Sequence, residues 1–191
     1  MPGFDVVLAE LSADPISVDR ATAAVQGDEA GAVVSFSGVV RNHDGGMAVS
    51  RLSYSAHPTA HQILAEVVAE LVAEHAGKAD KPVRVWAAHR VGMLEVGDPA
   101  LVCAVSAAHR GQAFEVCSQL VDRIKARVPI WKEQFFADGT LEWVGAGEQL
   151  PSDRPSQVIE LRANLGAAPA ADFRGGVSCV AAPDALAAVS V

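Results

Sequence analysis

Asp122-Arg123-Ile124-Lys125-Ala126-Arg127-Val128-Pro129-Ile130-Trp131-Lys132 carries the end of a helix, a proline stop and the start of a strand in one short block. Upstream of it, Ala113, Phe114, Cys117, Leu120, Val121 and Ile124 recur at helical spacing. The spacing predicts an amphipathic helix from about Gln112 to Arg127 with those side chains inward. Pro129 stops it, because proline lacks the amide proton that a further turn needs. Downstream, residues 130–136 and 140–144 flank Ala137-Asp138-Gly139 and read as a β-hairpin.

Working outward, Ala100 to Ala107 and Val83 to His89 read as strands, with the turn-rich Gly92–Pro99 between them. Ile63, Val67, Val68, Leu71 and Val72 mark a second long helix, opened by His57-Pro58 and ended by Gly77. Ser50 to Ser55 reads as a strand. So does the β-branched run Gly31 to Val40, which suits a buried position. Arg41-Asn42-His43-Asp44-Gly45-Gly46 follows as a loop whose paired glycines permit positive φ. Nearer the start, Phe4 to Leu8 reads as a short strand, and Val18, Ala21 and Val25 as one face of a short helix. Elements in this order indicate an α+β fold with a largely antiparallel sheet, two main helices and a C-terminal hairpin. Residues 1–147 form the domain. From about residue 148 to 191 periodicity gives way to Ala, Pro and Gly, the composition of a flexible tail.

Composition narrows the function. The 191 residues hold 15 Lys and Arg against 23 Asp and Glu, a net charge of −8. Nonspecific binding to nucleic acid or an anionic membrane is disfavoured, and any basic cluster is informative. The three cysteines make no C-x-x-C pair, and the chain has neither a signal-peptide pattern nor a long apolar run, so a cytoplasmic protein is expected. No G-x-G-x-x-G follows a strand and no P-loop pattern occurs. Six histidines form no recognised ligand set. His57 and His61 are four apart at a helix start but have no third partner, so no metal site is expected.

Between Ala107 and Lys132 the basic residues gather: His109-Arg110 end a strand, Lys125 and Arg127 end a helix, and Lys132 follows. If strand end and helix end meet at one pocket, burying so much like charge calls for an anionic ligand. Lysines crowded in this way serve as nucleophile or general base. Arginine binds phosphate through two parallel hydrogen bonds, which suits Arg41 and Arg110 to hold substrate. The alternative is that Lys125 and Arg127 simply complement the negative end of the helix.

Phe36-Ser37-Gly38-Val39-Val40-Arg41-Asn42, His89-Arg90-Val91-Gly92, Val96-Gly97-Asp98, Ala108-His109-Arg110, Ala113-Phe114 and the Asp122–Lys132 block, with Asp138-Gly139 and Trp143-Val144 beyond, resemble the catalytic (large) subunit of molybdopterin synthase. The resemblance runs in order from about residue 4 to 145. It implies an α/β hammerhead fold and a homodimer within a heterotetramer, each end binding a small ubiquitin-like sulfur carrier with a C-terminal Gly-Gly. The carrier's thiocarboxylate would deliver two sulfurs to cyclic pyranopterin monophosphate, forming the dithiolene of molybdopterin, with no tightly bound cofactor. Lys125 and Lys132 correspond to the catalytic lysines. Arg41, His109 and Arg110 correspond to substrate-binding residues, with Phe36, Val39 and Val40 lining the pocket and His109-Arg110 coming from the neighbouring subunit. Glu133 and Gln134 join the binding set but depart from the usual Trp-Lys-Lys-Glu, placing an amide where that pattern has an acid. Two rival readings are a noncatalytic module that docks a ubiquitin-like partner and a phosphate-ester enzyme that needs no carrier.

Overall fold

A computed structural model describes residues 4–75 and 82–145. Twelve elements follow one another: β1 (Phe4–Ser12), α1 (Val18–Val25), β2 (Ala32–Val39), β3 (His43–Asp44), β4 (Met47–Ala56), α2 (Ala60–His75), β5 (Val83–Arg90), β6 (Gly92–Glu95), β7 (Pro99–Ala107), α3 (Arg110–Arg127), β8 (Ile130–Phe136) and β9 (Leu141–Gly145). They make two sheets. The first has the order β1-β5-β7-β2, and only its β1–β5 pair is parallel. The second runs β3-β4-β8-β9 with β6 also on β4, and is antiparallel throughout. The expected α+β fold is therefore present. The expected tail beyond residue 147 and the helix end at Gly77 lie outside the described residues.

The first sheet is covered on both faces. Leu64, Val67, Val68 and Leu71 of α2 and Val116, Leu120 and Ile124 of α3 pack on one face, against Val85, Cys103 and Val105. Alternate residues of the same strands, Trp86, Val102 and Ala104, meet Ala21 and Val25 of α1 on the other face. Ser17 caps α1 by accepting a hydrogen bond from the Arg20 amide. A third cluster, with Val40, Val49, Leu52, Leu94 and Phe136, fills the second sheet. Each fully buried leucine contributes about 1.5–3 kcal/mol of transfer free energy. Leu120→Ala is expected to destabilise the fold by about 2–5 kcal/mol, seen as a lower urea midpoint with unchanged slope. A midpoint equal to wild type would remove Leu120 from the core.

Four local expectations are corrected. Phe114 is not inward: it is 62% exposed, and Val116 takes the buried position. The stripe 113, 116, 117, 120, 121, 124 follows the helical repeat, whereas 114 lies on its border. The second long helix begins at Ala60, so His57 and Pro58 precede it and His57 does not share its face with His61. The His57 amide instead bonds the Pro129 carbonyl, and its ring bonds Thr59. β2 is an edge strand with one face open in this chain, rather than a buried one. Gly92–Glu95 pairs with β4 as a strand rather than forming only turns.

Three glycines bear on the fold around the site. Gly45 and Gly46, at φ 55° and 84°, make the two-residue turn between β3 and β4, a backbone shape that requires positive φ at both. A Cβ on Gly31 would lie 2.3 Å from the Ala108 carbonyl oxygen, so only glycine allows β2 to start beside the end of β7.

Candidate functional site

Strand alternation sends Lys132 and Gln134 of β8 to one face of the second sheet. Their cross-strand neighbours on β4 are Tyr54 and Leu52. These four side chains form one wall of a cavity of about 170 Å³, closed by Val39 at the end of β2 and by Arg41, His43 and Asp44 of the following hairpin. Inside it, Asp44 Oδ1 lies 3.3 Å from Arg41 Nη2, and Asp44 Oδ2 lies 3.4 Å from Lys132 Nζ. A hydrogen bond from the Gln134 amide, together with the Lys132 and Arg41 charges, outweighs partial burial and holds the Asp44 carboxyl below its usual range. The Gln134 amide also reaches Glu142 Oε2 at 3.4 Å.

Lys125 stands in the last turn of α3, exposed, with its ammonium 5.5 Å from the centre of the Phe36 ring. Among the described residues it makes no salt bridge. Behind it, His89 donates from Nδ1 to the Arg90 carbonyl at 2.7 Å and meets the Tyr54 ring edge-on at 5.1 Å. Burial pushes the His89 imidazole below its ordinary value against the pull of the Arg90 bond, and the Lys125 charge lowers it further. Burial raises the Tyr54 hydroxyl. Tyr54 thus touches both halves of the site, lining the Lys132 cavity and contacting the histidine that senses Lys125. Cys103 and Cys117 are buried and do not serve as nucleophiles: desolvation pushes both thiols up, Cys117 to about 11.

The remaining candidates are dispersed. His109 and Arg110 are exposed at the start of α3, fifteen residues before Lys125. At 1.5 Å of rise per residue that separation is about 22 Å. The strand end and the helix end therefore do not meet at one pocket within a chain. Arg127 forms a bidentate ion pair with Glu70 of α2, and Arg123 forms another with Glu74. Arg127 thus ties two helices together instead of joining Lys125. Glu133 faces away from Lys132 and Gln134, because neighbours along a strand point to opposite faces. Val40 does not line the cavity: its side chain is in the third core cluster, and its amide and carbonyl bond Asp98 and Gly97. Sequence reasoning missed Asp44 and the Tyr54–His89 contact. Among the described residues there is no group of three or more His, Cys, Asp or Glu that would hold a metal ion. None of the described helices is long and apolar enough to cross a membrane.

Residues 11–127 match the family model described as MoaE protein. The chain belongs to the MoaE family. Among MoaE-family relatives, it is 42% identical over 135 residues to molybdopterin synthase catalytic subunit 1 of Mycobacterium tuberculosis, covering 71% of this chain and 88% of the relative. It is 37% identical over 137 residues to the molybdopterin synthase catalytic subunit of Bacillus subtilis, covering 71% and 83%. The crystal structure of molybdopterin synthase from Staphylococcus aureus superposes with a TM-score of 0.64 at 33% identity, over 72% of this chain and 96% of that one.

Proposed function

We propose that this chain is the catalytic subunit of a molybdopterin synthase, a sulfurtransferase of molybdenum cofactor biosynthesis. The carrying observation is that an acidic chain of the MoaE family places Arg41 and Lys132 on one cavity. Two anionic reactants fit those cations: cyclic pyranopterin monophosphate and the C-terminal thiocarboxylate of a small ubiquitin-like carrier ending in Gly-Gly. Lys125 and Lys132 assist thiocarboxylate attack and proton transfer. Arg41, with His109 and Arg110, holds the phosphate and stabilises charge as its ring opens. The separation of about 22 Å along α3 supports a homodimer in which His109-Arg110 of one subunit complete the site of the other. With a carrier at each end, the assembly is a cytoplasmic heterotetramer, and no bound cofactor enters the chemistry.

The test mixes the purified chain with thiocarboxylated carrier and cyclic pyranopterin monophosphate, and measures molybdopterin by mass. Product that needs both components supports the reading. Carrier binding without product would leave a docking module, and product without carrier would leave a phosphate-ester enzyme. In the same assay Arg41→Ala is expected to raise KM for the pterin about tenfold or more, the effect of losing one charge-assisted hydrogen bond. An unchanged KM with lost turnover would contradict the binding role.

A further inference from the structure

The cavity holds a carboxylate that no motif singled out. Among the described residues, Asp44 is the only acidic side chain lining it, and it contacts both cations there. Its place is set by backbone rather than by a loose loop, because the Gly45-Gly46 turn fixes Asp44 opposite Met47 in the β3–β4 register. Across the cavity stands Gln134, which is 2% exposed.

We propose that Asp44 is a positioning residue: its carboxylate, faced by the Gln134 amide, seats the Lys132 ammonium and the Arg41 guanidinium at one spot for the reaction. This rests on the synthase reading above and goes beyond it. Lysine carries its charge on a flexible four-carbon stem, so an ammonium that must meet a reacting atom needs an anchor. Asp44 Oδ2 is the anchor of Lys132, at 3.4 Å. Without that charge the two cations lose their shared counterion and repel, and Lys132 turns toward water. A misplaced catalytic group lowers turnover more than ground-state binding.

Carboxylate and amide line the same cavity, and their isosteric exchange leaves volume unchanged. The experiment therefore uses Asp44→Asn, Gln134→Glu and the double exchange Asp44→Asn/Gln134→Glu. Asp44→Asn is expected to lower kcat about tenfold, with a smaller rise in KM for the pterin because Arg41 loses its anchor as well. Gln134→Glu alone sets two carboxylates against each other in a buried place and also lowers kcat. The double exchange restores kcat to within about threefold of wild type, the non-additivity expected of two groups in one network. Glu142, which also meets Gln134, is exposed and turns to solvent in the exchanged chain.

A second readout needs no turnover. Acetylation of Lys132 by a mild acylating reagent, followed by peptide mass mapping, is expected to speed up about threefold in Asp44→Asn and to slow again in the exchanged chain, with Lys125 as internal reference. Absence of product with wild type would count against the synthase reading alone, and the acetylation pattern would still decide on Asp44. Wild-type kcat and acetylation in Asp44→Asn, or an exchanged chain no better than the worse single variant, would overturn the proposal.

Discussion

Lys125→Ala is expected to lower molybdopterin formation by roughly 10²–10⁴-fold, the range lost when a positioned general base or nucleophile is removed. The fold should survive. Lys125 is exposed at the end of α3, and its described contact is the 5.5 Å approach of its ammonium to the Phe36 ring, so truncation costs about 0.5–1 kcal/mol at most. His89, depressed chiefly by its own burial and further by the Lys125 charge, gives an independent marker. Removing that charge raises the His89 titration midpoint, which NMR of the imidazole follows. A variant with wild-type product formation would take Lys125 out of the mechanism.

Mixing two inactive chains should restore activity. Lys125→Ala loses the lysine proposed to react, and the double variant His109→Ala/Arg110→Ala loses groups whose absence costs about 10²–10³-fold if they stabilise developing charge. In a two-fold dimer whose sites draw the lysine from one chain and His-Arg from the other, each mixed dimer has one intact site. Random pairing in an equal mixture then gives about a quarter of wild-type activity. Sites completed within one chain would give no recovery. The separation of about 22 Å between Arg110 and Lys125 along the rigid helix α3 is the physical ground for expecting recovery.

Local pattern read α3 and the β8–β9 hairpin well. A helical repeat ended by proline and two strands joined by Ala137-Asp138-Gly139 are statements about neighbours in the chain. The pattern failed where burial depends on partners. Phe114 borders the apolar stripe and is exposed, because α2 and the first sheet cover the side of α3 that carries Val116. β2 has the composition of an inner strand, but only β7 pairs with it, and alternate residues along it stay exposed in this chain. Glu133 and Gln134 are adjacent in sequence and opposite in space.

The site divides along the same line. The ordered basic motifs mark Arg41, Lys125 and Lys132, since each sits in a block whose residue types can be recognised locally. Asp44 carries no such mark, because its partner Lys132 is 88 residues away and the pair exists only once β3 is hairpinned onto β4 and β4 is paired with β8. The Tyr54–His89 contact likewise needs two sheets to meet. The exclusion of Arg127 from the site follows from its bidentate pair with Glu70 on another helix. Sequence alone determined the main helices and strands, the family and the basic residues, all set by short-range periodicity and motif. Tertiary structure decided which cations share a counterion and which acid supplies it, because those depend on strand register that no local pattern encodes.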